Sequence, residues 1–496
     1  MNSKAGYYLL GALLLWVTAG FAQDEAPSAP SAPAEPSTEP TQATQPSQAD
    51  PVAPPQPRQV ILIIGDGMDE QQITIARNYL QGAAGQLLLD RMPLRSSVQI
   101  QTTEDRVDGK PVYVADSANT ASTLATGTIT SIGRISTSAG ADQDLTTIAE
   151  LATAAGLRTG LVTTSSVTDA TPAAFAAHIS MRMCEDAATI VDITYHGIPL
   201  GNCKGDMKAN GGKGSIAEQL AQSAVDVILG GGSERFVPIA EGETISTLDV
   251  ARRNGFEVVT DAAQLAQAAT NITADKKLLG LFAPGSLPVR LMGEDNREAQ
   301  QPRRSWLNYL HPYLGSVALP APMACVPNPD ASTVPTLRQM ADAALQRLSA
   351  DNDKGFFLMI ESASIDKQSH ERKPCGSIGE VEQLEEALAS ALAFAASHPH
   401  TLVMVTADHA QAAQLVPDES LFAEFPIPIF TPGKVARIIT PEGGHMAVNY
   451  ATNNFNMEEH TGAAVPLFSN DEGLERIPPF IQQSQVFAIT RDYLGL

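Results

Sequence analysis

From Gln59 onward the chain alternates short apolar runs with stretches whose apolar residues recur every three or four positions. The runs VILIIG (60–65), LRTGLVTT (157–164), DVILGGG (226–232), GFFLMIE (355–361) and TLVMVTA (401–407) are dense in apolar residues and too short for helices. Near-continuous apolar character, in place of strict alternation, suits a strand covered on both faces. Helical spacing predicts helices over 144–155, 216–224, 336–350 and 378–397. Strands separated by helices make βαβ units, so the pattern predicts an α/β fold with a large, mostly parallel central sheet flanked by helices.

The first 58 residues follow a different rule. Lys4, an apolar run from Tyr7 to Val17, and Gly20-Phe21-Ala22 before Gln23 give the order basic, apolar, small-x-small. That order predicts a signal peptide over 1–22, with an uncleaved anchor helix as the alternative, although the apolar run is short for a span. Residues 23–58 are mainly Pro, Ala, Ser, Thr and Gln, too poor in apolar bulk to offset the entropy of ordering. They read as a disordered tether, leaving 59–496 as the globular part. The chain is 43% apolar and 18% charged, as a globular protein should be. A net charge of −23 argues against nucleic acid and against stable attachment to anionic membrane through long-range electrostatics. Cys184, Cys203, Cys325 and Cys375 lack the CxxC spacing of a zinc site. In an exported chain four cysteines suggest disulfides, and three connectivities are open.

Three predicted strands end in acid: VILIIG at Asp66, FFLMI at Glu361, and LVMVTA at Asp408 and His409. Ligands of an open α/β sheet bind outside the carboxyl ends of its strands. One such acid is an ordinary helix cap, but several gathered there repel one another unless cations lie between them. In ESASIDKQSH (361–370), Asp366 and His370 stand four apart, on one face if Ile365 onward is helical. A carboxylate and a neutral imidazole so placed suit Zn²⁺. In VADSANTASTLATG (114–127), Asp116-Ser117 precedes small residues consistent with a helix beginning at the serine. A hydroxyl there is either an N-cap or sits where free N–H groups and the helix dipole hold phosphate. No G-x-S-x-G elbow surrounds Ser117, which argues against a hydrolase triad.

With these blocks in order, the sequence resembles the bacterial alkaline phosphatases. The matching pieces include VILIIGDGM, DSANTASTLATG, TDATPAAFAAHISMRMC, GGKGSIAEQL, CVPNPDASTVPTLRQM, FFLMIESASIDKQSH, PCGSIGE, LVMVTADHAQAAQLV and EEHTG. The resemblance implies a three-layer sandwich over 59–496. It also implies a phosphomonoesterase acting on a broad range of phosphate monoesters at alkaline pH, through a phosphoserine on Ser117. It implies two Zn²⁺ and one Mg²⁺ per chain. Asp366, His370 and His460 would hold the first zinc, and Asp66, Asp408 and His409 the second. Asp66, Thr171 and Glu361 would hold the magnesium. Arg182 would grip phosphate, with Asp169 and Lys367 beside it. It further implies bridges Cys184–Cys203 and Cys325–Cys375, periplasmic or secreted location, and a homodimer. His460 stands out from the other histidines only through this resemblance. Related diesterases lack the counterparts of Arg182 and of Thr171 with Glu361, and sulfatases use a different local signature. A non-catalytic phosphate or zinc binder would not need every catalytic position filled.

Two departures from the family pattern stand out. Asp69 follows GDGM where glycine is common, and is either a solvated residue or one that tunes metal affinity or substrate access. The helix after Ser117 is rich in hydroxyls and has no aromatic residue, which is expected to loosen its packing.

Overall fold

In a computed structural model describing residues 57–195, 197–271, 276–418 and 431–496, all five expected strands form neighbours in one ten-stranded sheet. The expected signal peptide over 1–22, and the expected tether as far as residue 56, lie outside the described residues. In chain order the sheet strands are β1 (Arg58–Gly65), β2 (Leu94–Gln99), β3 (Arg158–Ser166), β4 (Val227–Gly231), β5 (Phe256–Val259), β6 (Lys277–Leu281), β7 (Gly355–Ser362), β8 (Thr401–Ala407), β9 (Val465–Ser469) and β10 (Phe480–Gln482). Their spatial order is β10-β2-β9-β8-β1-β7-β3-β4-β6-β5. From β8 to β5 every pairing is parallel, and β9 runs antiparallel to both β8 and β2. The five strands that periodicity did not reveal are six residues or shorter.

The apolar runs are continuous because both sheet faces are covered. Val60, Ile61, Leu62, Ile63 and Ile64 are each at most 1% exposed, and burying such a side chain contributes about 1.5–3 kcal/mol. Parallel register then does the positioning. Ile64 lies opposite Glu361, and Gly65 opposite both Ser362 and Ala407. The acids that end three separate strands therefore emerge side by side.

Helices that bear on the site and its supports are α1 (Glu70–Leu80), α2 (Ser117–Thr126), α3 (Ile148–Ala154), α4 (Ala170–Ala174), α5 (Ile216–Gln222), α6 (Leu337–Ser349), α7 (Ser364–His370), α8 (Pro374–Ser397) and α9 (Gln483–Leu494), with others between α5 and α6. The helix expected over 144–155 begins only at Ile148. Thr147 caps it in a reciprocal box with Glu150, while Asp144 pairs with Thr137 in extended conformation. α8 starts a turn before the predicted 378, at Pro374, whose missing N–H is no loss at the first helical position. No helix among the described residues is long and apolar enough to cross a membrane.

Packing around α2 is not loosened: all ten residues are buried. Each hydroxyl has a partner within reach. Thr120 Oγ1 donates to Asp116 O (2.8 Å), Ser122 Oγ to Arg134 O (3.0 Å), Thr123 Oγ1 to Asn119 O (2.8 Å) and Thr126 Oγ1 to Ser122 O (2.7 Å). Small hydroxylated side chains let neighbours approach the helix closely, and local hydrogen bonds satisfy them.

Of the three possible connectivities, the bridges are Cys184–Cys203 and Cys325–Cys375. They close loops of 19 and 50 residues, for which chain entropy predicts about 3 and about 4 kcal/mol of stabilisation. Cys325→Ser is therefore expected to lower unfolding free energy by about 4 kcal/mol and Cys184→Ser by about 3. Denaturant melts of exported protein read this, and equal or negligible losses would contradict the loop-length argument.

Candidate active site

The register of β8, β1 and β7 delivers Asp408, Asp66 and Glu361 to the carboxyl ends of central strands, and α2 and α7 bring Ser117, Asp366, Lys367 and His370. After β1 the chain must turn at once, and Gly67 does so at φ +66°. A Cβ there would meet Gln411 Cγ at 2.8 Å and Asp366 Cβ at 3.1 Å, so only glycine fits. The Gly67 N–H donates to Asp408 Oδ1 (3.0 Å), as does the His409 N–H (2.8 Å), and Thr120 Oγ1 lies 3.2 Å from Asp408 Oδ2. Asp408 is completely buried and thereby oriented.

Ser117 is not the N-cap of α2. Asp116 fills that role, accepting from Asn119 N in a capping box. This leaves the serine hydroxyl free of capping, on the first turn of a ten-residue helix. Ser117 Oγ lies 3.4 Å from Asp66 Oδ1 and 3.1 Å from His409 Nε2.

The ligating atoms of Asp66, Asp408 and His409 lie within 4.8 Å of one another, as do those of Asp366, His370 and His460. The two trios touch, since the His409 and His460 rings stack at 3.8 Å. In the second trio both Nδ1 atoms face carbonyls, His370 that of Glu458 and His460 that of Ala115 (2.8 Å). Nδ1–H donates there, so the two Nε2 lone pairs point at one another across 2.9 Å. Asp366 oxygens stand 3.2 and 3.3 Å from them. Such convergence is unfavourable unless a cation or a proton occupies it. Burial disfavours charge on His460, yet Asp366 overrides this and raises its pKa to about 9. Burial also works against the Asp366 carboxylate, but His370 and His460 hold its pKa well below the usual range.

Around Asp66 the balance is reversed. Burial, then the charges of Asp408, Asp366 and Glu361, push its pKa well up. Burial raises Glu361 to about 7, although Thr163 donates to it. Thr171 Oγ1 is buried beside Glu361 and makes no hydrogen bond within normal distance; its proximity still favours the ionised carboxylate. Surplus negative charge next to an unspent hydroxyl oxygen is an environment a hard cation satisfies.

Arg182 lies close enough to feel the charge of Asp66. Its Nη2 donates to Asp169 Oδ1 (2.9 Å) and Nη1 reaches Asp116 Oδ2 (3.3 Å), while Lys367 Nζ pairs with Asp169 Oδ2. Burial opposes the Arg182 charge, but Asp169, Asp116 and Asp66 raise its pKa further. Asp169 is held low: burial works against its charge, and Lys367 and Arg182 outweigh it. The guanidinium is thus permanently charged and fixed in direction.

The expected site residues from Asp66 to His460 converge here, whereas the four cysteines lie outside the cluster, with Cys184 two positions after Arg182. The expectation of a solvated Asp69 is corrected. Asp69 is 5% exposed and caps α1, accepting from Gln71 and Gln72 N–H at 2.9 and 3.0 Å. Burial raises its pKa to about 6. Gln411 carries no advance signal of its role. Gln411 N–H reaches Asp69 Oδ2 (3.3 Å) and its Nε2 donates to Asp366 Oδ1 (2.6 Å), a link between residues far apart in sequence. Only the position of Asp116 before Ser117 hinted at its part.

The family model for alkaline phosphatase matches residues 57–462. The chain is 37% identical over 446 residues to the alkaline phosphatase of Escherichia coli, covering 88% of this chain and 86% of that one. It is likewise 37% identical over 457 residues to the streptomycin-6-phosphate phosphatase of Streptomyces griseus, covering 88% and 91%. The alkaline phosphatase structure from the Antarctic bacterium TAB5 shares the fold, with TM-score 0.60 at 21% identity over 89% of this chain and 99% of that one. With the family model matching most of its length and these relatives covering 88% of it, the chain belongs to the alkaline phosphatase family of phosphoric monoester hydrolases.

Proposed function

We propose that 59–496 is one catalytic domain that releases inorganic phosphate from a broad range of phosphate monoesters through a phosphoserine on Ser117. The observation that carries the reading is Ser117 Oγ, uncapped on the first turn of α2 and within 3.4 Å of Asp66 and His409. Asp366, His370 and His460 would hold one Zn²⁺, and Asp66, Asp408 and His409 a second. Glu361, Thr171 and Asp66 would hold Mg²⁺, the oxygen donors being those a hard cation prefers. When bound, these cations would supply the positive charge that stabilises the attacking and leaving oxygens of an in-line displacement.

The chain's own groups do the rest. Ser117 Oγ forms a bond to phosphorus as the ester O–P bond breaks and the alcohol departs with a proton. Water then attacks the phosphoserine, the Ser117 O–P bond breaks, and phosphate leaves with the serine hydroxyl restored. Asp116 and Asp169 aim the Arg182 fork, whose remaining N–H groups grip phosphate oxygens in both steps. Lys367, paired with Asp169, adds positive charge beside them. The protein acts after export, in the periplasm or outside the cell, in keeping with its two disulfides, and as a homodimer.

Turnover of a chromogenic monoester, with and without chelator and across pH, tests the reading. The folded pKa of Glu361 is raised from 4.5 to about 7, so the metal-free fold gains stability from its proton below pH 4.5 and loses it as pH rises toward 7. Cation binding needs the carboxylate, so Mg²⁺ affinity is expected to fall as pH drops below about 7 and to level off above it. Chelator-resistant turnover, or Mg²⁺ affinity that is flat across this window, would reject the cation assignment. Arg182→Ala is expected to fold and to weaken phosphate inhibition and kcat/KM together, by about a hundredfold or more, as loss of a charge-stabilising donor does. Wild-type inhibition by inorganic phosphate in that variant would remove Arg182 from the site.

A further inference from the structure

Directly after α7 the chain turns through Arg372 at φ +59°, a left-handed conformation in which glycine is the default residue. Its side chain is nonetheless the largest that is fully buried among the described residues. Strain of this kind persists where the surroundings require that side chain. Every guanidinium nitrogen is engaged, and all of them reach one loop. Nε donates to Glu458 Oε2 (2.5 Å), Nη1 to Asn456 O (3.0 Å), and Nη2 to Phe455 O (2.9 Å) and Asn453 Oδ1 (3.4 Å). The other Glu458 oxygen accepts from the N–H and hydroxyl of Thr452, closing the loop on itself.

The same glutamate touches the site through its backbone. Glu458 N–H donates to His370 O (2.9 Å), and Glu458 O accepts from His370 Nδ1. His460 follows two residues later. Arg372 and Glu458 therefore connect the helix that bears one imidazole to the loop that bears the other. A buried ion pair is weak support for stability, because desolvation consumes most of its attraction, and packed apolar residues often do as well. What such a pair supplies is a fixed geometry.

We propose that Arg372, acting through Glu458, is a positioning residue for the Asp366–His370–His460 group. It straps loop 452–460 to α7 so that both Nε2 atoms converge before any cation arrives. The inference rests on the reading that this group holds a cation, but the strap is a property of the chain alone and can be measured without metal.

The test compares wild type with Arg372→Met, Glu458→Gln and the double variant, which leaves no lone buried charge if Arg372→Met alone fails to fold. In metal-free protein, amide exchange across 453–460 is expected to accelerate at least about tenfold while β1, β7 and β8 stay protected. In a titration of zinc-loaded protein with a chromophoric chelator, one ion should be lost about 10–100-fold more readily, the usual cost of removing a supporting partner, while the other is retained. Arg372→Lys, which keeps charge but not the fork, should fall between. Loop exchange equal to wild type would overturn the proposal. So would acceleration spread equally through the core strands, which would make the pair a general stabiliser. If wild type held no zinc but the loop still responded to Arg372, the cation reading would fail and the strap would stand.

Discussion

Replacing Ser117 by alanine is expected to leave a folded protein that keeps its cations and loses nearly all turnover. The hydroxyl is the only group removed, and the proposed ligands Asp66, Asp366, His370, Asp408, His409 and His460 remain. Nothing in α2 depends on Ser117 Oγ, because Asp116 caps the helix. The loss should be about three orders of magnitude or more in kcat, about 4 kcal/mol of transition-state stabilisation. Residual hydrolysis is expected, since Arg182 and the proposed cations would still favour the transition state over the bound ester. Wild type should give net retention at a chiral phosphorus, two inversions in sequence, and an added amino alcohol should intercept the phosphoserine as a new ester. Inversion, or a Ser117→Ala variant of undiminished kcat, would leave direct attack by water as the pathway.

His370→Ala should be the most damaging change to cation binding. It removes one of three proposed ligands, and it also removes the ring that Glu458 O and Asp366 hold in place. Zinc affinity at this group is expected to fall by more than about a hundredfold, beyond what loss of a merely supporting partner costs. The Asp66–Asp408–His409 trio shares no protein ligand with it, so one ion of two should remain at stoichiometric zinc. Activity should fall with the lost ion and recover in part with excess zinc. Unchanged stoichiometry together with unchanged activity would sink the ligand assignment.

Asp69 shows why some of the site was hidden. Read along the chain it stood out as an acid where the family pattern has glycine, but nothing there decided between a solvated residue and one that tunes the site. It caps α1 locally, and it is also reached by the N–H of Gln411, 342 residues away. The hydroxyl-rich α2 misled in a similar way. Its composition suggested loose packing, whereas carbonyls such as that of Arg134 were waiting for those hydroxyls.

The sequence by itself determined the strands β1, β3, β4, β7 and β8, the parallel α/β class, the acids at the strand ends, and the Asp366–His370 pair on one helical face. These are properties of neighbouring residues: apolar continuity, helical spacing, and the chemistry that follows a strand. It singled out His460 and the disulfide pairing only through resemblance to a family. The tertiary structure decided the strand order that sets β8, β1 and β7 side by side, the choice of Asp116 over Ser117 as cap, and the burial of Asp69. It also decided the contact of Arg372 with Glu458 across 86 residues. Each of these depends on desolvation and hydrogen-bond partners supplied from distant parts of the chain, and local periodicity carries no record of which partners will arrive.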